Sequence, residues 1–167
     1  MARTQIELLA GALEAAYRSD RWHALLNNLA PVTDSEWDIR PSDYSVDVFG
    51  SQPELSIGDL ARHVAGAFVM YGNRAFGDGT MSWERIQAPG FDKTATLAWL
   101  DEGYRGLAAG LAALADDSSL DELKTAHWGE PTPVRRFIAI MTNHMLYHAG
   151  EINRQLSLIR GASGWQR

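Results

Sequence analysis

The chain has 167 residues, a formal net charge of −6 and a pI near 5.3, and 46% of its residues are apolar. That is long enough to bury a core and too apolar for a disordered segment. An acidic chain whose lysines and arginines never cluster beyond short pairs lacks the basic face that duplex nucleic acid requires.

Cysteine is absent, which removes disulfides, thiolate metal ligands and a cysteine nucleophile. No apolar run approaches the roughly 18–20 residues that span a bilayer. The start, Met1 to Glu7, lacks the apolar stretch of a secretion signal. The expectation is a cytoplasmic protein, residues 1–167 forming one domain, with neither membrane nor nucleic acid as partner.

Thr4 and Glu7 have the spacing of a helix capping box. Ile6, Leu9, Leu13, Tyr17, Leu25 and Leu29 follow at helical spacing and predict a first helix over 4–29, stopped by Pro31. His23, beside Trp22 near its end, reads as a surface residue at the helix C-terminus. Residues 31–55 carry too many Pro, Gly, Ser and Asp residues for a long period. They read as an ordered loop that opens with a short turn at Thr33–Trp37, is held by Trp37, Tyr44 and Phe49, and packs over a site.

Ser56 and Asp59 form a second capping box, opening a helix over 56–76 whose stripe is Ile57, Leu60, Val64, Ala67, Phe68 and Tyr71. His63 lies at the edge of that stripe. Asp59, one turn earlier, is read as a cap in preference to an acceptor for His63. Asp92 caps a third helix over 92–115, with a seam of Leu97, Leu100, Tyr104, Leu107, Leu111 and Leu114. Gly103, Gly106 and Gly110 lower its propensity and suit a close helix approach. Ser118 to Lys124 suggests a short extra turn, and His127, in the loop before Pro131, reads as an exposed loop histidine in preference to one lining a pocket mouth. Thr132 as N-cap and Pro133 at the first helical position open a fourth helix over 133–160, which Gly161 ends. The fold class is all-α, a four-helix bundle.

The chemistry concentrates in the last helix. His144 and His148 are one turn apart on the face that also carries Phe137, Ile140, Met141, Gln155 and Leu158. Two inward imidazoles so spaced can share one ion at about 2.0–2.1 Å; alternatively they are core histidines satisfied by hydrogen bonds. His63 from the second helix would supply a third nitrogen, and three protein ligands leave open positions for water or substrate. Met145 stands where a zinc protease would carry its glutamate base, so that class is excluded. The paired Glu-x-x-His motifs of di-iron bundles are missing too. Glu151, seven residues after His144 on the same face, is a candidate acceptor behind a ligand or a candidate catalytic base.

Ser-Ile-Gly-Asp-Leu-Ala-Arg before His63, followed far downstream by His-x-x-x-His-x-Gly-Glu-Ile, resembles the DinB/YfiT-like superfamily over nearly the whole chain. The family often has Gln in place of Glu151 and a basic residue in place of Ala149. The resemblance implies a four-helix bundle, usually a homodimer. It implies a divalent metal, typically nickel, zinc or iron, on the histidines matching His63, His144 and His148. It also implies thiol-dependent transfer or isomerisation on a small-molecule substrate, with a low-molecular-weight thiol such as bacillithiol, mycothiol or glutathione. The competing readings are a non-catalytic metal- or ligand-binding dimer of the stress-response kind, a metal-dependent hydrolase, and a purely structural role for the three histidines.

Overall fold

A computed structural model describes residues 2–40 and 55–162. Tyr44, Phe49 and the middle of the loop over 31–55 lie outside the described residues. Four helical segments carry the fold. They are α1 (Thr4–Glu14), continued by a π-helical stretch over Ala15–Ser19, then α4 (Ile57–Phe76), α5 (Lys93–Ala112) and α6 (Val134–Arg160). Two short helices, α2 (Leu25–Leu29) and α3 (Asp34–Trp37), lie between the first two. α1 packs against α5 and α6, and α4 packs against the same two helices, so each long helix has two neighbours in an all-α bundle. The core between them is one cluster that includes Leu13, Tyr17, Leu60, Val64, Phe68, Leu100, Leu107, Phe137, Met141 and Ile152. No helix among the described residues is long and apolar enough to cross a membrane.

The central helices start and stop where local chemistry says they should. Ser56 Oγ accepts from the Asp59 amide and the Asp59 carboxylate accepts from the Ser56 amide, both at 3.1 Å. Asp92 accepts from the Ala95 amide at 2.9 Å and caps α5. The turn at Thr33 is also a capping box, with Glu36. Gly161 closes α6 at φ 62°, a left-handed conformation that favours glycine.

The first helix departs from the expected 4–29. Asp20 accepts from the amides of Trp22 and His23 at 2.8 and 2.7 Å, an Asx-type turn that outcompetes the helical ladder. The chain widens to a π-turn before it, with the Asp20 amide reaching the Ala15 carbonyl at 3.2 Å, and restarts as α2. Thr4 is not the N-cap: Arg3 is, and it makes no side-chain cap. The free amides of Gln5 and Ile6 are taken instead by the Asp117 carboxylate, at 3.1 and 3.0 Å, from a 3₁₀ turn over Asp117–Asp121. Thr132 is not the N-cap of α6 either. A small antiparallel hairpin, β1 (Leu123–Thr125) with β2 (Pro131–Pro133), pairs Leu123 with Pro133. Pro133 is therefore the cap, since its φ of −68° and ψ of 147° continue the strand and its missing N–H costs nothing there.

The α5 glycines divide by position. A Cβ at Gly103 would stand 2.6 Å from Phe68 Cβ, so α4 and α5 meet there too closely for any side chain, whereas a Cβ at Gly106 would meet nothing within 4 Å. Gly103→Ala is expected to destabilise the fold by about 1–3 kcal/mol through overpacking. Gly106→Ala should stabilise it by about 0.5–1 kcal/mol through helix propensity alone. Urea unfolding of the two variants checks both signs, and equal effects would contradict the described α4–α5 contact.

Candidate metal centre

The α4–α6 contact brings His63 together with His144 and His148, about eighty residues further along the sequence. His63 projects from the middle of α4. His144 and His148 stand one turn apart on α6, among the buried Met141, Met145 and Ile152. Ring centroids are 4.9 Å apart for His63 and His144, 5.0 Å for His63 and His148, and 4.5 Å for His144 and His148. One ring nitrogen from each lies within 4.8 Å of the others. Nitrogens held at about 2.0–2.1 Å from one ion stand about 3.4 Å apart in a tetrahedral shell, so a modest rotation of the rings would bring all three onto one ion.

Two further observations fit an ion. His144 Nε2 is fully buried and has no hydrogen-bond partner among the described residues. Leaving such an atom unpaired costs about 1–3 kcal/mol, and a shared cation would supply the missing partner. His148 Nδ1 lies 2.8 Å from Glu151 Oε2. Opposite a carboxylate, the tautomer with its proton on Nδ1 can donate, which leaves the Nε2 lone pair free for an ion. This is how a ligating histidine is ordinarily oriented. The converging group of ligand atoms contains no carboxylate.

The other residues singled out in the sequence fall elsewhere. Asp59 serves as a cap and pairs with Arg40 at 2.7 Å and Arg62 at 2.8 Å. His127 belongs to the hairpin turn and meets Tyr71 edge-on at 5.6 Å. His23 lies 3.1 Å from Asp20 in the turn after α1. One neighbour of the site had no sequence signal: Trp83, in a 3₁₀ turn over Trp83–Arg85, lies flat on the His63 ring at 5.1 Å and 10°. It stands twenty residues along the chain, in a loop whose path no periodicity records.

Burial holds the His144 imidazole down to about 4, and the neighbouring His148 and His63 add repulsion. Burial, then His148, lowers His63 as well. Between the ordinary histidine value of about 6.5 and about 4, the unfolded chain takes up a proton that the folded chain refuses. Stability of the metal-free protein should therefore fall as pH drops through that window, and His144→Asn should flatten the slope. Urea unfolding at pH 7, 5.5 and 4 measures it; an unchanged slope in the variant would contradict a buried neutral His144.

Residues 18–152 match the DinB superfamily. No curated protein and no solved structure gives a significant match. The matched span is most of the chain and includes all three histidines and Glu151. The chain belongs to the DinB superfamily.

Proposed function

We propose that this protein is a divalent-metal-dependent enzyme that uses a low-molecular-weight thiol to transfer onto, or isomerise, a small electrophilic substrate. The observation that carries the reading is the convergence of His63, His144 and His148, together with the unpartnered Nε2 of His144. A bound divalent ion, with nickel, zinc and iron as the candidates, would make a thiol or water nucleophilic at neutral pH. His63, His144 and His148 hold it, and Glu151 keeps His148 in the tautomer that leaves Nε2 free. The external thiol would release its proton to water, and its sulfur would bond to an electrophilic carbon of the substrate, either as a leaving group departs with the bonding electron pair or as a π bond at that carbon opens and the resulting anion takes a proton from water.

Two features favour thiol chemistry over hydrolysis. The chain has no cysteine, so a sulfur nucleophile has to come from outside. Its nearby carboxylate, Glu151, is already engaged with His148 Nδ1, which suits a positioning role better than that of a general base. A metal-activated thiol needs no such base. In the same reading residues 1–167 are one cytoplasmic domain.

Untagged protein should bind one divalent ion per chain. His63→Ala, His144→Ala and His148→Ala should each abolish stoichiometric binding, while His23→Ala and His127→Ala leave it intact. Metal analysis and calorimetry measure this, and equal loss from all five would point to misfolding. Activity toward an electrophile panel should require both ion and thiol, disappear with His148→Ala and survive in part with Glu151→Gln. Turnover of esters without thiol would indicate a hydrolase, and no turnover at all a binding protein.

We also propose a homodimer. Trp22, Leu146 and Tyr147 are 46%, 41% and 70% exposed. Trp22 and Leu146 line a groove of about 210 Å³ with Ala149, Gly150 and Asn153. Covering such apolar surface is what a second copy would do. Light scattering should give twice the chain mass, and Tyr147→Asp with Leu146→Asp should give the monomer. A wild-type monomer at micromolar concentration contradicts the proposal.

A further inference from the structure

The three imidazoles are not held in the same way. His148 is fixed by its bond to Glu151 at 2.8 Å. His144 is enclosed by the bundle, with its Nε2 fully buried. His63 makes no hydrogen bond through its ring to any described residue. Rotation of an imidazole about its last side-chain bond is soft, so a ring without a partner samples a wide range of nitrogen positions. Ligating histidines are ordinarily held by a hydrogen bond on the far nitrogen. His63 has a flat indole instead.

That indole is delivered by a strap over residues 77–86 that folds back along α4. The strap is tied to the end of the helix by its own residues. Asn73 Oδ1 accepts from the Met81 amide at 2.9 Å, and Asn73 Nδ2 donates to Asp78 at 2.9 Å. Arg74 Nε donates to the Met81 carbonyl at 3.0 Å. Arg85 donates to the Thr80 carbonyl at 2.9 Å, closing the strap on itself. Its path returns it to Gly66, less than one turn beyond His63. A Cβ at Gly66 would lie 3.3 Å from Trp83 Cζ3 and 3.3 Å from Ile86 Cγ2. The helix thus carries no side chain beyond the backbone where the edge of the indole approaches Gly66. Trp83 then lies parallel to His63, with ring centroids 5.1 Å apart and 10° between planes.

We infer that Trp83 is a positioning residue for the metal centre: its indole face orients the His63 imidazole, in the role that Glu151 fills by hydrogen bonding for His148. The inference rests on the metal reading proposed above. It concerns a residue that touches a ligand and not the ion. Stacking restricts the ring to one plane and leaves rotation within that plane to the α4 backbone, so a smaller aromatic ring should serve nearly as well. An aliphatic or absent side chain should not. A Cβ at Gly66 would press on the indole by a few tenths of an ångström, and a branched side chain such as valine by more, without altering any ligand or the indole itself.

The test uses the untagged full-length chain and Co²⁺ as the probe, because its visible absorption reports ligand geometry as well as occupancy. Wild type and Trp83→Phe should bind with similar affinity and the same visible band. Trp83→Ala should bind at least about tenfold more weakly, in line with the loss of other partners that orient metal ligands, and with a changed band. Gly66→Val should shift in the same direction as Trp83→Ala. Circular dichroism and the melting midpoint of each metal-free variant separate this from unfolding. If wild type takes up no Co²⁺, the metal reading fails and this inference with it. If wild type binds and Trp83→Ala binds as tightly with an unchanged band, the metal reading stands and the positioning role is overturned. A Trp83→Phe variant as weak as Trp83→Ala, while folded, would also overturn it.

Discussion

The packing of α4 on α6 sets the position of His63 relative to His144 and His148, and the chemistry of this chain depends on that contact. Both helices feed one apolar core with residues such as Leu60, Val64, Phe137, Met141 and Met145, all 1% exposed or less. Removing these side chains from water stabilises the bundle by about 25 cal/mol per Å² of apolar area. The same contact places three imidazoles side by side in a poorly hydrated region. Burying polar nitrogen without a partner is unfavourable, and the unpaired Nε2 of His144 shows that the protein alone does not resolve the cost. A shared cation would turn the strain of the cluster into affinity for a ligand.

Around that contact the protein uses different means to hold each ring. A carboxylate one turn along the same helix holds His148. The bundle interior holds His144. The indole of a distant strap lies against His63. Two of these supports come from α6 itself or from its packing, and the third comes from a segment that the α4 C-terminus organises through Asn73 and Arg74. Three parts of the chain therefore surround the cluster, although its three imidazoles come from only two helices.

Much of this was legible in the sequence, for physical reasons that also explain what was not. Ser56 with Asp59, Asp92 and Gly161 act on amides and carbonyls within a few residues, so their roles can be read locally. The same holds for the His144 and His148 spacing, which the helical repeat places on one face. Thr4 had the local signature as well, yet Asp117 reaches the same amides from more than one hundred residues away. Local pattern cannot reveal a competitor that arrives through tertiary structure. The turn at Asp20 was hidden by an apolar repeat that continues across it into α2, and the hairpin before α6 by two prolines that suit a strand end as well as a helix start. Trp83 had no legible role, because its partner is set by the path of a loop.

The central claim is that one divalent ion is held by three imidazoles, and X-ray absorption of zinc-loaded, untagged protein tests it most directly. The account predicts a nearest shell at about 2.0–2.1 Å with the outer-shell scattering of three imidazole rings, reduced to two in the His63→Ala variant if any ion remains. A shell of oxygen ligands without imidazole scattering, or a spectrum unchanged by His63→Ala, would contradict it.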